Sequence, residues 1–207
     1  MLNKENQIMQ TGLPLKEADK VIIMVHGRGA SADSILSLKS HLKVEKAAFF
    51  APQAKNHTWY PFSFLAPVQQ NQPYLDEALE TLSALVEEIK AEGIPANKIY
   101  LLGFSQGACL TLEFAARNAS KYGGVIAFTG GLIGEKLNLN NYQGDFNQTP
   151  ILITTGDPDP HVPVSRVNES AEILKKMNAE VWVEIFKGRP HTIEFKELEL
   201  ANQLLNL

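Results

Sequence analysis

Ser105 lies in Gly103-Phe104-Ser105-Gln106-Gly107, a Gly-x-Ser-x-Gly pentapeptide, and the means for nucleophilic chemistry are concentrated there. A serine hydroxyl is a weak nucleophile near neutral pH. It needs a base within hydrogen-bond reach, and the base needs a third group to orient it. Ile99 to Leu102 form a short apolar run before the motif, as a buried parallel strand would. After it, Ala108, Leu112, Ala115 and Ala116 recur at helical spacing, with Leu110 and Phe114 widening the stripe. A serine in the tight turn between strand and helix is held in strained geometry, its hydroxyl standing above the sheet. Gly103 and Gly107 omit side chains where strand and helix crowd the turn. The helix N-terminus then offers free N–H groups to a developing negative charge. The pentapeptide alone is a weak signal, and its bland reading is a serine capping a helix. The strand before it and the helix after it give it weight.

On such a scaffold the acid and then the base follow the serine, each after a later strand. Asp157 and Asp159 both follow the apolar run Ile151–Thr155. Asp159 is preferred because Pro160-His161-Val162-Pro163 can redirect the chain into the next helix, which leaves Asp157 to bond loop N–H groups. His191 is the one histidine after the last strand, in the turn Gly188-Arg189-Pro190-His191. Among the competing histidines, His41 falls on a helix away from the strand ends, His57 lies in an aromatic loop where it can contact substrate, and His161 belongs to the rim of the acid loop. His26 orders the loop that follows it. An oxyanion needs two backbone N–H donors. Gln106, next to the nucleophile, supplies one, and Arg28, in His26-Gly27-Arg28-Gly29-Ala30, supplies the other. The Arg28 side chain has three readings: an anchor for an acidic substrate group, a partner of a carboxylate, or a solvated cation.

The elements that must position these groups alternate along the chain. The sequence predicts strands at Val21–Val25, Ala47–Ala51, Ile99–Leu102, Val125–Thr129, Ile151–Thr155 and Val181–Phe186, and an edge strand around Ile8 to Leu15. Helices are predicted after Ser31 or Asp33, with Ile35, Leu36, Leu38 and Leu42 inward, and over Tyr74–Glu92, Ser165–Met177 and Thr192–Leu205. This alternation gives an α/β fold with a mostly parallel sheet covered on both faces, and residues 1–207 read as one domain. Gln53 to Pro73 has no period and is dense in aromatic residues. It packs on the core, or it walls an apolar pocket with Trp59, Phe64 and their neighbours; the second reading is preferred. The stretch from Gly130 to Thr149 reads as a polar loop.

Composition excludes several classes. The 207 residues are 44% hydrophobic and 20% charged, ordinary for a globular domain. A net charge of −4 gives no basis for nucleic-acid or anionic-membrane binding. The single cysteine, Cys109, rules out an internal disulfide and fits a reducing, cytoplasmic compartment. Met1 to Leu15 lacks the pattern of a signal peptide, and the apolar runs are far too short to span a membrane. The histidines are scattered, without metal-ligand spacing, and no dinucleotide or phosphate fingerprint occurs.

Taken together, His26-Gly27-Arg28-Gly29, Ala51-Pro52-Gln53-Ala54, Trp59-Tyr60-Pro61, the Ser105 pentapeptide, Gly156-Asp157-Pro158-Asp159-Pro160-His161-Val162-Pro163 and Gly188-Arg189-Pro190-His191 resemble the phospholipase/carboxylesterase family of α/β-hydrolases. The resemblance spans nearly the whole chain, in family order. It implies the α/β-hydrolase fold, a Ser105–His191–Asp159 triad, an oxyanion hole from the backbones of Arg28 and Gln106, no cofactor or metal, and, for some members, a homodimer. Thioesterases of the family commonly carry His-Gly-Leu-Gly-Asp where this chain has His-Gly-Arg-Gly-Ala, which favours a small ester as substrate. The expected function is a serine carboxylesterase on short to medium acyl esters. A lysophospholipase or acyl thioesterase is the alternative. A non-catalytic binding protein, a peptidase and a cysteine-dependent dienelactone hydrolase fit less well.

Overall fold

The computed structural model describes residues 8–207. The expectations for the polar lead-in and the absent signal peptide fall partly on residues 1–7, outside the described residues. Seven strands form one sheet in the order β1-β3-β2-β4-β5-β6-β7. They are β1 (Ile8–Gly12), β2 (Lys20–Val25), β3 (Ala47–Pro52), β4 (Ile99–Phe104), β5 (Gly124–Phe128), β6 (Pro150–Asp157) and β7 (Glu180–Lys187). Only β1 runs antiparallel, along β3 at the edge. The helices are α1 (Ala32–Leu36), α2 (Val68–Asn71), α3 (Tyr74–Ala91), α4 (Gln106–Arg117), α5 (Val164–Lys176) and α6 (Phe195–Leu205).

The inner strands are buried on both faces, and their side chains alternate between two cores. Val21, Ile23 and Val25 of β2 join the core under α3, α4 and α5. Ile22 and Met24 join the core under α1 and α6. Along α3 the stripe Leu75, Leu79, Leu82, Val86 and Ile89 turns inward, and Gly93 ends the helix at φ +95°. The predicted helix after Ser31 is shorter than expected. Ser31 caps α1 by accepting the Ser34 N–H at 3.1 Å, but after Leu36 the chain tightens into a 3₁₀ turn over Ser37–His41.

The stretch from Gly130 is not the polar loop the sequence suggests. Leu132, Ile133 and Phe146 are fully buried. Two buried charges hold it. Glu113 of α4 accepts the Ile133 N–H at 3.0 Å and the Tyr142 hydroxyl at 2.9 Å. Arg166 of α5 donates to the carbonyls of Leu132 (3.0 Å), Gly134 (2.6 Å) and Glu135 (3.0 Å). Buried backbone polar groups need partners, and here helix side chains supply them.

Because β2, β4, β5, β6 and β7 are parallel, their carboxyl ends meet at one edge of the sheet. The loops after β2, β4, β6 and β7 carry Arg28, Ser105, Asp159 and His191.

Candidate active site

Ser105 sits between β4 and α4 at φ 54°, ψ −119°, a backbone conformation costly for a residue with a side chain. The surroundings over-determine it. Its N–H donates to the Phe128 carbonyl at 2.9 Å, and its carbonyl accepts the Cys109 N–H at 3.0 Å. A Cβ at Gly107 would lie 2.1 Å from the Val25 carbonyl oxygen, and one at Gly103 would lie 2.4 Å from the Gly107 oxygen. The two glycines let β2, β4 and α4 close on the turn.

The loops bring the three predicted groups together. His191 Nε2 is 2.8 Å from Ser105 Oγ. His191 Nδ1 is 2.8 Å from Asp159 Oδ2. An ionised carboxylate only accepts, so Nδ1 carries the proton and Nε2 is left to accept from the serine hydroxyl. The other Asp159 oxygen, Oδ1, accepts the N–H groups of His161 and Val162, both at 2.9 Å. Burial pushes the Asp159 carboxyl up, but the bonds from His191, His161 and Val162 outweigh it and hold its pKa below the usual value. Asp157, the other candidate, is exposed, and its carboxylate bonds no described residue; only its carbonyl accepts, from the Gly188 N–H at 2.8 Å. Bonding of loop N–H groups, expected of Asp157, falls to Asp159.

The His191 turn is held from beneath. Arg189 is 3% exposed; Nη1 donates to the carbonyls of Pro190 (3.1 Å) and Thr192, and Nη2 donates to Thr129 Oγ1 (2.7 Å). Its counter-charge is the fully buried Glu197 of α6, at 3.6 Å, which also accepts from Thr154 Oγ1 and from the Glu194 N–H (2.9 Å). Burial raises the Glu197 pKa, and these partners oppose the rise. Sequence reading missed both residues. Their signal is a charged side chain beside His191 and another at a position where α6 faces the core. His161 is exposed, and its ring meets the His191 ring edge-on with centroids 5.0 Å apart, in keeping with a rim position.

The N–H groups of Arg28 and Gln106 have no hydrogen-bond partner among the described residues. His26 behind them is fully buried and neutral in character: burial lowers its pKa, Nε2 accepts the Ala54 N–H at 3.1 Å, and Nδ1 donates to the Gly27 carbonyl at 2.8 Å. The Arg28 side chain reaches across to the aromatic loop. The guanidinium, though exposed, donates to Thr58 Oγ1 (3.0 Å) and to the carbonyls of Pro61 (2.9 Å) and Phe62 (2.7 Å). The residues expected at a pocket wall are placed as follows. Trp59 is 5% and Phe64 6% exposed, both within the core under α3 and α4. The Trp59 indole donates to the His26 carbonyl at 2.8 Å. His57 is exposed and donates through Nδ1 to the Ala30 carbonyl at 2.7 Å. Trp59, Tyr60 and Phe64 of this loop belong to the core.

Among the described residues, no cluster of three or more His, Cys, Asp or Glu side chains could hold a metal ion, and no helix is long and apolar enough to cross a membrane.

The sheet order and the serine-bearing turn define an α/β-hydrolase. The chain belongs to the phospholipase/carboxylesterase family of hydrolases, whose sequence profile matches residues 6–207. It is similar to a phospholipase/carboxylesterase from Dyadobacter fermentans DSM 18053, with 56% identity, coverage of 100% of this chain and 99% of that one, and a TM-score of 0.96. A curated relative, acyl-protein thioesterase 1 of Yarrowia lipolytica, is 25% identical over 208 residues, covering 90% of this chain and 91% of its own. The Bacillus cereus carboxylesterase shares the fold at a TM-score of 0.79 and 18% identity, with 99% and 95% of the two chains covered.

Proposed function

We propose that the protein is a serine carboxylesterase acting on short to medium acyl esters through an acyl-enzyme intermediate. The observation that carries this reading is the continuous hydrogen-bonded chain from Ser105 through His191 to Asp159, with both links at 2.8 Å. Ser105 Oγ attacks the ester carbonyl while His191 Nε2 takes its proton. The oxyanion is received by the N–H groups of Arg28 and Gln106, which have no partner within the described protein. His191 returns the proton to the leaving alcohol. Water, deprotonated by the same imidazole, then releases the acid and restores the serine. No cofactor enters this sequence.

The preference for shorter chains is supported by the early loop, which reads His26-Gly27-Arg28-Gly29-Ala30 where thioesterases of the family commonly carry His-Gly-Leu-Gly-Asp. Acyl thioester hydrolysis is the second reading, favoured by the full-length likeness to an acyl-protein thioesterase. A cytoplasmic setting is supported by the lone, buried Cys109.

The test is hydrolysis of p-nitrophenyl esters from acetyl to palmitoyl, with an acyl-thioester series beside it, for the native protein and Ser105→Ala. Turnover greatest at short chains and lost in the variant is expected. A maximum at palmitoyl or with thioesters would move the assignment to the second reading, and activity retained by Ser105→Ala would overturn the serine mechanism.

A further inference from the structure

Arg28 and Gln106, whose backbone N–H groups have no hydrogen-bond partner among the described residues, send their side chains to one and the same loop. From one side, the Arg28 guanidinium binds Thr58 Oγ1 and the carbonyls of Pro61 and Phe62. From the other, Gln106 accepts the Trp59 N–H at 3.0 Å through Oε1 and donates through Nε2 to the Tyr60 carbonyl at 2.8 Å. Thr58 Oγ1 also lies 3.3 Å from Gln106 Oε1, so a single hydroxyl touches both side chains. Further bonds fasten the same loop to the Arg28 segment: Gly29 N–H to the His57 carbonyl (2.7 Å) and the Trp59 indole to the His26 carbonyl (2.8 Å). Asn71 of α2 closes the far end, accepting the Phe62 N–H at 2.8 Å and donating to the Ser63 carbonyl at 3.0 Å.

Arg28 and Gln106 come from the ends of different strands, β2 and β4, and the chain gives them no direct covalent link. We infer that the Thr58–Phe62 loop is a splint that fixes the spacing of the two oxyanion-hole N–H groups, with the Arg28 guanidinium and the Gln106 amide as positioning residues. The inference rests on the esterase reading, because it concerns the hole that reading requires. Its physical basis is that preorganised donors stabilise a transition state only when they need not move to meet it, and a displacement of about 1 Å can cost roughly a hundredfold in rate. An arginine suits this role because its planar fork reaches three acceptors at once, which a lysine ammonium on a flexible stem does not reproduce.

The experiment compares Arg28→Met, Arg28→Lys and Gln106→Met with the native protein on p-nitrophenyl acetate, each assayed well below its own thermal midpoint. All three keep both backbone N–H groups. The expected result for Arg28→Met and Gln106→Met is a fall in kcat of roughly tenfold to a hundredfold, with KM changed less than about twofold. Affinity for a trifluoromethyl ketone, which forms the tetrahedral adduct, should fall in parallel, and the acid limb of the pH profile should not move. Arg28→Lys should fall between Arg28→Met and the native enzyme. An unchanged kcat and ketone affinity in folded Arg28→Met and Gln106→Met would overturn the splint, as would a loss confined to KM for carboxylate-bearing esters, which would make Arg28 an anion anchor. Should Arg28→Met fail to fold, Gln106→Met and Arg28→Lys decide the question by the same readouts. Native protein without ester turnover would overturn the esterase reading itself, whereas native turnover with insensitive variants would overturn the splint alone.

Discussion

Asp159→Asn isolates the role of one carboxylate, and the hydrogen bonds around it determine which way the new amide must face. Oδ1 accepts two backbone N–H groups at 2.9 Å, and Oδ2 accepts His191 Nδ1 at 2.8 Å. Turning the amide nitrogen toward the two backbone donors would leave both unpaired in a side-chain site with no solvent exposure, at about 1–3 kcal/mol each. The amide oxygen therefore stays on the backbone and the NH₂ faces His191. Nδ1 must then accept, which moves the imidazole proton to Nε2, where it points at Ser105 and the serine can no longer give up its own proton. A wrong-tautomer histidine lowers turnover by about ten-thousandfold, or ~5.5 kcal/mol at ~1.4 kcal/mol per factor of ten. The assay is kcat for p-nitrophenyl acetate at pH 7.5 on folded protein. A loss below about tenfold would refute the reasoning, and so would an equal loss in Asp157→Asn, because the exposed Asp157 carboxylate bonds no described residue.

Three further outcomes are expected. Gly107→Ala places a Cβ 2.1 Å from the Val25 carbonyl oxygen and 2.6 Å from that of His26, so backbone must move; a loss of about 3 kcal/mol or more in urea unfolding is expected, and a native-like midpoint would contradict the close packing. Arg189→Lys keeps the charge but loses the fork that spans Thr129, Pro190 and Thr192; kcat should drop and the thermal midpoint fall, and unaltered kinetics would show that the His191 turn holds itself. His26 has a folded-state pKa below its ordinary 6.5, so the unfolded chain binds the extra proton first; stability is full above about pH 6.5 and declines as pH falls below it, and His26→Gln should flatten that part of the curve of unfolding midpoint against pH.

The parts of this site that the sequence made legible share a cause. Ser105 is visible because a change of period, from apolar run to helical stripe, brackets the pentapeptide. Asp159 and His191 are visible because parallel strands send their loops to one edge, so that chain order becomes spatial order. What was not legible depends on where long side chains end. Nothing local in Arg28 tells that its three acceptors lie on residues 58, 61 and 62, because loop carbonyls carry no sequence signature. The burial of Trp59 and Phe64 was not legible either, because an aromatic ring serves packing and binding equally well. Glu113 could have been noticed, since it falls between Leu110 and Phe114 on a helix buried almost all round, where an unpaired carboxylate would be costly. Arg117, one turn on, is its ion-pair partner at 2.7 Å, while the other two partners, Ile133 and Tyr142, come from the aperiodic stretch that could not be read.

The buried Glu197 ties the His191 turn to α6. Ser105, Asp159 and the turn carrying His191 all leave the ribosome before α6, yet the counter-charge for Arg189 resides on α6. Until that helix docks against β5 and β6, the guanidinium under the histidine has no anion to hold it. The turn that carries His191 is therefore anchored by two parts of the chain, its own strand and the closing helix.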